Sequence, residues 1–209
     1  MTIKHNDMKR QLSLLAALLL VFTATLAMAQ KADDQVKKIV KSFRDHKNVV
    51  IDFTYEYVAD DDKHSDLQEG KAYLQGEAYK VIMKEQHNIS DGTTIWCYLV
   101  DDEEVMVSDA TEGTDNTPLK LLTTLDKDYQ ASFAGNEEIE LSNPKGDFKK
   151  VTLKIDSKKN TLKSVDVYAD DGSKLILNIL ETKFDQELKD GFFTFDEKAY
   201  PNVDIIDMR

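Results

Sequence analysis

The sequence predicts a mainly-β fold: one curved antiparallel sheet or barrel, preceded by a helix and interrupted midway by a short second helix. Three observations carry this. From Val49 onward the apolar period is two, not 3.6. About ten short runs of that kind follow one another. Turn signals, not helical crossovers, separate them, which excludes a parallel α/β sheet.

The helix comes first. Val36, Ile39, Val40 and Phe43 stand at i, i+3, i+4 and i+7, one face of a helix expected over about Asp33 to Asp45. Lys37, Lys38 and Lys41 fill its other faces. In Val49-Val50-Ile51-Asp52-Phe53-Thr54-Tyr55-Glu56-Tyr57 the odd positions are apolar or aromatic, so one face of this strand is greasy. Asp60-Asp61-Asp62-Lys63-His64 reads as a hairpin tip, since the ligand order, Gly and distal Glu of a calcium loop are absent.

Strands are next expected at Gln68 to Gly76, Ala78 to Lys84, Thr94 to Leu99 and Glu103 to Ser108. Tyr129 to Ala134 and Glu138 to Ser142 are weaker. Val151 to Ile155, Leu162 to Tyr168 and Lys174 to Glu181 form a three-strand meander, with Lys159-Asn160 and Asp170-Asp171-Gly172 in its turns. Between the two groups, Thr117-Pro118 is a helix start, and Leu119, Leu122 and Leu125 continue at helical spacing. The tail from Phe192-Phe193-Thr194-Phe195 to Arg209 is aromatic, then extended around Pro201.

The first residues read as an address. Lys4, Lys9 and Arg10 precede an apolar block, Leu12 to Leu26, which ends in Ala27-Met28-Ala29, a small-x-small cleavage pattern. The block has about 15 residues, short for a bilayer span of ~20. A cleaved signal peptide over residues 1–29 is expected, leaving a single domain over 30–209, outside the cytoplasm. There is no Cys at the cleavage point to carry a lipid.

Composition excludes several functions. The chain has 27 basic against 39 acidic residues, a net charge of -12, and loss of Lys4, Lys9, Arg10 and Asp7 leaves -14. That balance argues against nucleic acid and against adhesion to anionic membrane surfaces. One Cys, Cys97, excludes a disulfide framework and any zinc site built on several thiolates. Beside Trp96 it reads as a small buried hydrophobe. Histidines at 5, 46, 64 and 87 are scattered, and no Walker A, GxGxxG, GxSxG or HExxH motif is present. The expectation is a protein that is not an enzyme, with no cofactor and no metal.

The greasy strand face is the remaining feature. Phe53, Tyr55, Tyr57, Tyr73, Tyr79, Val81, Met83, Trp96, Tyr98 and Val105 supply it in the first strands. Val151, Leu153, Ile155, Val165, Val167, Leu175, Leu177 and Ile179 continue it in the meander. It is either an ordinary core closed by the helices or the wall of an apolar cavity for acyl chains, and alternation alone fits both.

His87-Asn88-Ile89-Ser90-Asp91-Gly92-Thr93-Thr94-Ile95-Trp96-Cys97-Tyr98 resembles the SDGxxLWxY strand-turn-strand of the periplasmic outer-membrane lipoprotein carriers, the LolA-like proteins. Asn116-Thr117-Pro118-Leu119 resembles that family's entry into its lid helix. Phe193-Thr194-Phe195 and Val203 to Arg209 resemble its C-terminal ending, so the likeness runs over roughly residues 32–209.

The resemblance implies an incomplete, unclosed antiparallel β-barrel of about eleven strands with helices over an acyl-chain cavity. Its lid would be Val36, Ile39, Val40 and Phe43 from the first helix, with Pro118, Leu119, Leu122 and Leu125 from the second. It implies a periplasmic chaperone, working as a monomer, that moves acylated lipoproteins from the inner to the outer membrane. Its donor would be an inner-membrane ABC-type lipoprotein exporter, its acceptor an outer-membrane receptor or the membrane itself. The runner-up is a lipid- or lipoprotein-sensing module with the same half-barrel. In well-studied members an Arg on an early strand holds the lid shut; here that stretch, Tyr73-Leu74-Gln75-Gly76-Glu77, has none.

Overall fold

Five apolar side chains of one helix organise the molecule. The computed structural model describes residues 28–61, 63–110, 122, 125–127, 129–144 and 148–209. Within these, helix α1 runs over 28–44. Ala32, Val36, Ile39, Val40 and Phe43 are its buried positions, the stripe expected from their spacing with one turn added at its start. They pack in a single core with residues from most of the strands and with Leu122 and Leu125.

The strands are β1 (Val49–Val58), β2 (Gln68–Gln75), β3 (Ala78–Met83), β4 (Gln86–Ser90), β5 (Thr94–Leu99) and β6 (Glu104–Asp109). They continue with β7 (Gln130–Gly135), β8 (Glu138–Ser142), β9 (Lys150–Asp156), β10 (Thr161–Tyr168), β11 (Lys174–Phe184) and β12 (Asp204–Asp207). They form one sheet in the order β12-β6-β5-β4-β3-β2-β1-β11-β10-β9-β8-β7. The ends do not join: this is an open, mainly-β barrel, as expected. Asn160 and Gly172 take the positive φ their turns require, +54° and +89°.

Two strands depart from the residue-level reading. β4 has no greasy side, because Gln86, Asn88 and Ser90 alternate with His87 and Ile89, so periodicity does not reveal it. The tail closes as β12, which pairs with β6 in parallel, unlike the other pairings among the described residues. The expected address falls at residues 1–27 outside the described residues, and so do Pro118 and Leu119 of the expected mid-sheet helix.

A clamp sets where α1 enters the sheet. Asn48 is buried, donates through Nδ2 to the Gln186 carbonyl at 2.8 Å and accepts from the Gln186 amide at 2.9 Å. Asp185 accepts from the Lys47 amide at 2.7 Å and meets His46 Nδ1 at 2.7 Å. The His46 ring stacks on Phe184 at 4.1 Å. The end of α1 is thereby tied to the end of β11.

Register does the rest. Phe53 of β1 faces Gly70 of β2 and fills the space a side chain there would occupy. A Cβ at Gly70 would stand inside 3.0 Å of the Phe53 ring, which is itself 1% exposed and cannot swing away. Gly70→Ala is expected to destabilise the fold by about 1–3 kcal/mol. Phe53→Leu should recover part of that loss in the double variant, read by urea denaturation; an additive double variant would refute the contact.

Candidate functional site

The site is built by strand parity. Directly opposed residues in an antiparallel pair lie on the same face. The inner face, towards α1, takes Val49, Ile51, Phe53, Tyr55 and Tyr57 from β1, opposite Leu177 and Leu175 of β11. It continues through Val165 and Val167 of β10 to Leu153 and Val151 of β9. In the other direction it runs through Ala72 and Leu74 of β2 to Val81 and Tyr79 of β3.

Of the residues expected in one wall, the structure brings together Phe53, Tyr55, Tyr79, Val81, Met83, Val151, Leu153, Val165, Val167 and Leu177. Most are fully buried beneath α1. Tyr55, Met83 and Ile179 are only partly covered, and Tyr57, further along the same strand face, is 47% exposed. The greasy face therefore extends beyond what α1 hides. Leu175 lies opposite Tyr57 at that uncovered end.

Four expected wall residues are on the other side of the sheet. Tyr73 pairs with Val50 and Lys80, whose side chains face outward. Tyr79 opposes Ser90 across β3–β4, so Ile89 and His87 point out; these oppose Trp96 and Tyr98, which in turn oppose Val107 and Val105. Trp96, Tyr98 and Val105 thus belong to the outer face, and Cys97 takes the inner position. The polar strand β4 carries the parity across, and aromatic character alone did not reveal it.

The outer aromatics have their own cover. Tyr98 meets Phe195 at 5.6 Å, Tyr200 at 4.9 Å and His87 at 5.6 Å, and Phe195 stacks on Tyr200 at 5.2 Å. Tyr73 meets Phe192 edge-on at 4.7 Å, with Lys80 Nζ 5.1 Å from the same ring. The tail after β11 is a second, smaller core. Its signal was in the sequence: four aromatics in the tail require an apolar surface.

On the inner side β4 and β5 present polar groups. Gln86 Nε2 donates to Asn88 Oδ1 at 2.8 Å and to Cys97 Sγ at 3.0 Å. Burial pushes the Cys97 thiol up, the opposite of an activated nucleophile. Asp91 holds the β4–β5 turn by accepting from the Thr93 and Thr94 amides, both at 2.8 Å.

The early strand lacks an Arg, but α1 supplies one. Arg44 makes a two-pronged pair with Asp126, Nη1 to Oδ2 at 2.9 Å and Nη2 to Oδ1 at 2.7 Å. Asp126 follows Leu125, which is buried in the core beside α1. The last turn of α1 and residues 125–127 are thus tied both by apolar contact and by charge. A double-mutant cycle on Arg44→Ala and Asp126→Ala should give a coupling of about 1 kcal/mol in urea denaturation. Simple additivity would show that the pair holds nothing.

His87 yields a pH expectation. Burial, and secondarily Lys80, hold its imidazole below the ordinary value of 6.5. The unfolded chain therefore binds this proton more readily than the folded one. Stability is full above pH 6.5 and declines as pH falls through and below it. Thermal denaturation from about pH 7.5 to 5 should show that decline, shallower in His87→Gln. An unchanged slope in the variant would remove His87 as its source.

An open half-barrel with an amphipathic helix along its apolar face defines the class of protein. The family model described as "Outer membrane lipoprotein carrier protein LolA" matches residues 83–196. The chain belongs to this family. No curated protein matches it in sequence. An uncharacterized conserved protein from Thermus thermophilus shares the fold at 12% identity with a TM-score of 0.52, covering 86% of this chain and 98% of that one. A LolA superfamily protein from Nitrosomonas europaea is similar at 13% identity and TM-score 0.44, with 78% and 97% covered. An outer membrane lipoprotein-sorting protein domain from Vibrio parahaemolyticus gives 13%, 0.45, 79% and 97%.

Proposed function

We propose that this protein is a periplasmic carrier that holds the acyl chains of lipoproteins against the inner face of its half-barrel and moves them from the inner to the outer membrane. The observation that supports this most is the apolar face itself, which runs from Phe53 past Tyr55 to exposed Tyr57, beyond the cover of α1. Family membership supports lipoprotein as the cargo.

The physics is one of exchange. A triacylated anchor has three chains of about 16 carbons, and at ~0.8 kcal/mol per buried CH₂ its exposure to water costs tens of kcal/mol. The α1 stripe buries Val36, Ile39, Val40 and Phe43 at roughly 2 kcal/mol each and the Ala32 methyl at ~0.8 kcal/mol, about 9 kcal/mol together. About a dozen methylenes replacing that stripe leave the apolar balance unchanged. Opening is then driven by cargo of matching area and needs no nucleotide.

In this reading residues 1–29 are a signal peptide removed on export. The donor is an inner-membrane ABC-type lipoprotein exporter, and the acceptor an outer-membrane receptor or the membrane. The protein works as a monomer by binding alone and catalyses nothing.

The test uses partly covered wall positions, which tolerate change better than the buried centre. Tyr55→Glu, Met83→Glu and Ile179→Glu should each cut lipoprotein release from spheroplasts by about tenfold or more, with folding checked by circular dichroism. Trp96→Glu, on the outer face, should lower stability while sparing release from whatever protein remains folded. Release that survives charges at all three inner positions would sink the carrier reading.

A further inference from the structure

Among the described residues β12 stands at one end of the sheet, with β6 on one side and no strand on the other. The Asp204 and Met208 amides donate to the Glu103 and Val107 carbonyls at 2.8 and 2.9 Å, so the backbone at 204, 206 and 208 faces β6. By the two-residue period, the amides and carbonyls of Ile205 and Asp207 face the open side. Register puts Ile206 beside Met106 on the inner face and Ile205 beside Val105 on the outer. Both isoleucines are exposed all the same, Ile205 at 44% and Ile206 at 42%, and Met208 is 55% exposed. What side chains on opposite faces share is the open edge, and a cover laid on either face reaches only one of them.

The surroundings of this edge are acidic. Residues 101–109, the β5–β6 turn and β6, lie beside the tail because β12 pairs with β6. Together with 196–209 they carry nine Asp or Glu against Lys198 and Arg209, a net of -7 where the whole chain has -12. Arg209 is taken up by Asp207 at 2.7 Å, while Asp204 forms no ion pair among the described residues. Two copies of the chain paired edge to edge would set this strip against itself, which charge opposes. A segment that carries Lys or Arg meets the opposite sign.

We propose that β12 is a docking edge for an extended basic segment of a partner protein, in which two adjacent apolar residues are flanked by Lys or Arg. The segment adds a strand to the sheet, and its backbone pairs with Ile205 and Asp207. Its two apolar residues cover Ile205 on one face and Ile206 on the other, and its cations stand opposite Asp204 and Asp207. The same two carboxylates turn away a second copy of this chain and select a basic partner. The proposal is independent of the acyl-binding reading, because it uses neither α1 nor the wall beneath it.

The experiment is binding of a rhodamine-labelled peptide, Lys-Lys-Val-Val-Lys-Lys, to the full protein by fluorescence anisotropy. It should bind at least about tenfold more tightly than Glu-Glu-Val-Val-Glu-Glu, and binding should weaken at about 0.5 M salt. N-methylation of both valine amides keeps the charges, blocks strand pairing and should abolish binding. Ile205→Pro removes an outward N–H and leaves the bonds to β6, so it should weaken binding about tenfold or more. Asp204→Lys, which leaves the backbone untouched, should weaken binding as well and reduce its salt dependence. Binding of the methylated peptide, or wild-type affinity in both variants, overturns the proposal in favour of plain attraction of cations. Equal binding of the acidic peptide, or no binding of the basic one, also overturns it. So does a wild-type dimer in sedimentation that Ile205→Pro dissolves, since the edge then belongs to a second copy.

Discussion

The apolar stripe of α1 on the inner sheet face is the interaction on which the rest depends. An open barrel exposes a greasy lining that no hairpin turn can hide, and five side chains from Ala32 to Phe43 supply the cover. Their burial is comparable to the whole net stability of a typical domain, ~5–15 kcal/mol. Such a helix is not a loose flap. It occupies the apolar face, and anything taking its place there would have to bury equivalent area. That is why the clamp at Asn48 and Asp185 matters: it fixes one end of α1 to β11, so that the helix would pivot there rather than dissociate.

Strand parity is the second constraint, and it decides which side chains can share a site. A strand has two faces, so each pairing transmits a binary choice to its neighbour. Because β4 opposes Val81 with Asn88, the choice passes to β5 as Cys97 in and Trp96 out. The most conspicuous aromatic pair of the sequence, Trp96 and Tyr98, thereby becomes a floor for the C-terminal tail. Phe195 and Tyr200 convert what would be exposed apolar surface into a second core, and β12 then extends the β6 edge.

Legibility followed from these two constraints. The α1 stripe, the β1 alternation and the β9–β11 meander were readable because burial on one face leaves a strict period in the residues. β4 was not, because a strand polar on its inner side and mixed on its outer has no period to detect. The facing of Tyr73, Trp96, Tyr98 and Val105 was illegible for a related reason. Hydrophobicity marks a residue as wanting cover but is silent on which of two cores supplies it. The Arg44–Asp126 pair also escapes residue-level reading: its members lie 82 positions apart, and only the folded chain places α1 beside residues 125–127.

Charge follows the same logic of place over composition. A net charge of -12 reads as general repulsion of anionic lipid. The fold instead sorts the charges, gathering lysines on α1 and at the β9–β10 turn while the acidic excess lies on the remainder of the sheet and its turns. With a screening length of about 8 Å at physiological salt, a local cluster governs what approaches it more than the distant net charge does. The acidic majority keeps an apolar-lined protein dispersed in water. The basic minority is concentrated on α1, whose exposed positions include Lys31, Lys37, Lys38, Lys41 and Arg44, so a charged surface meets a different field on that side of the molecule than on the sheet.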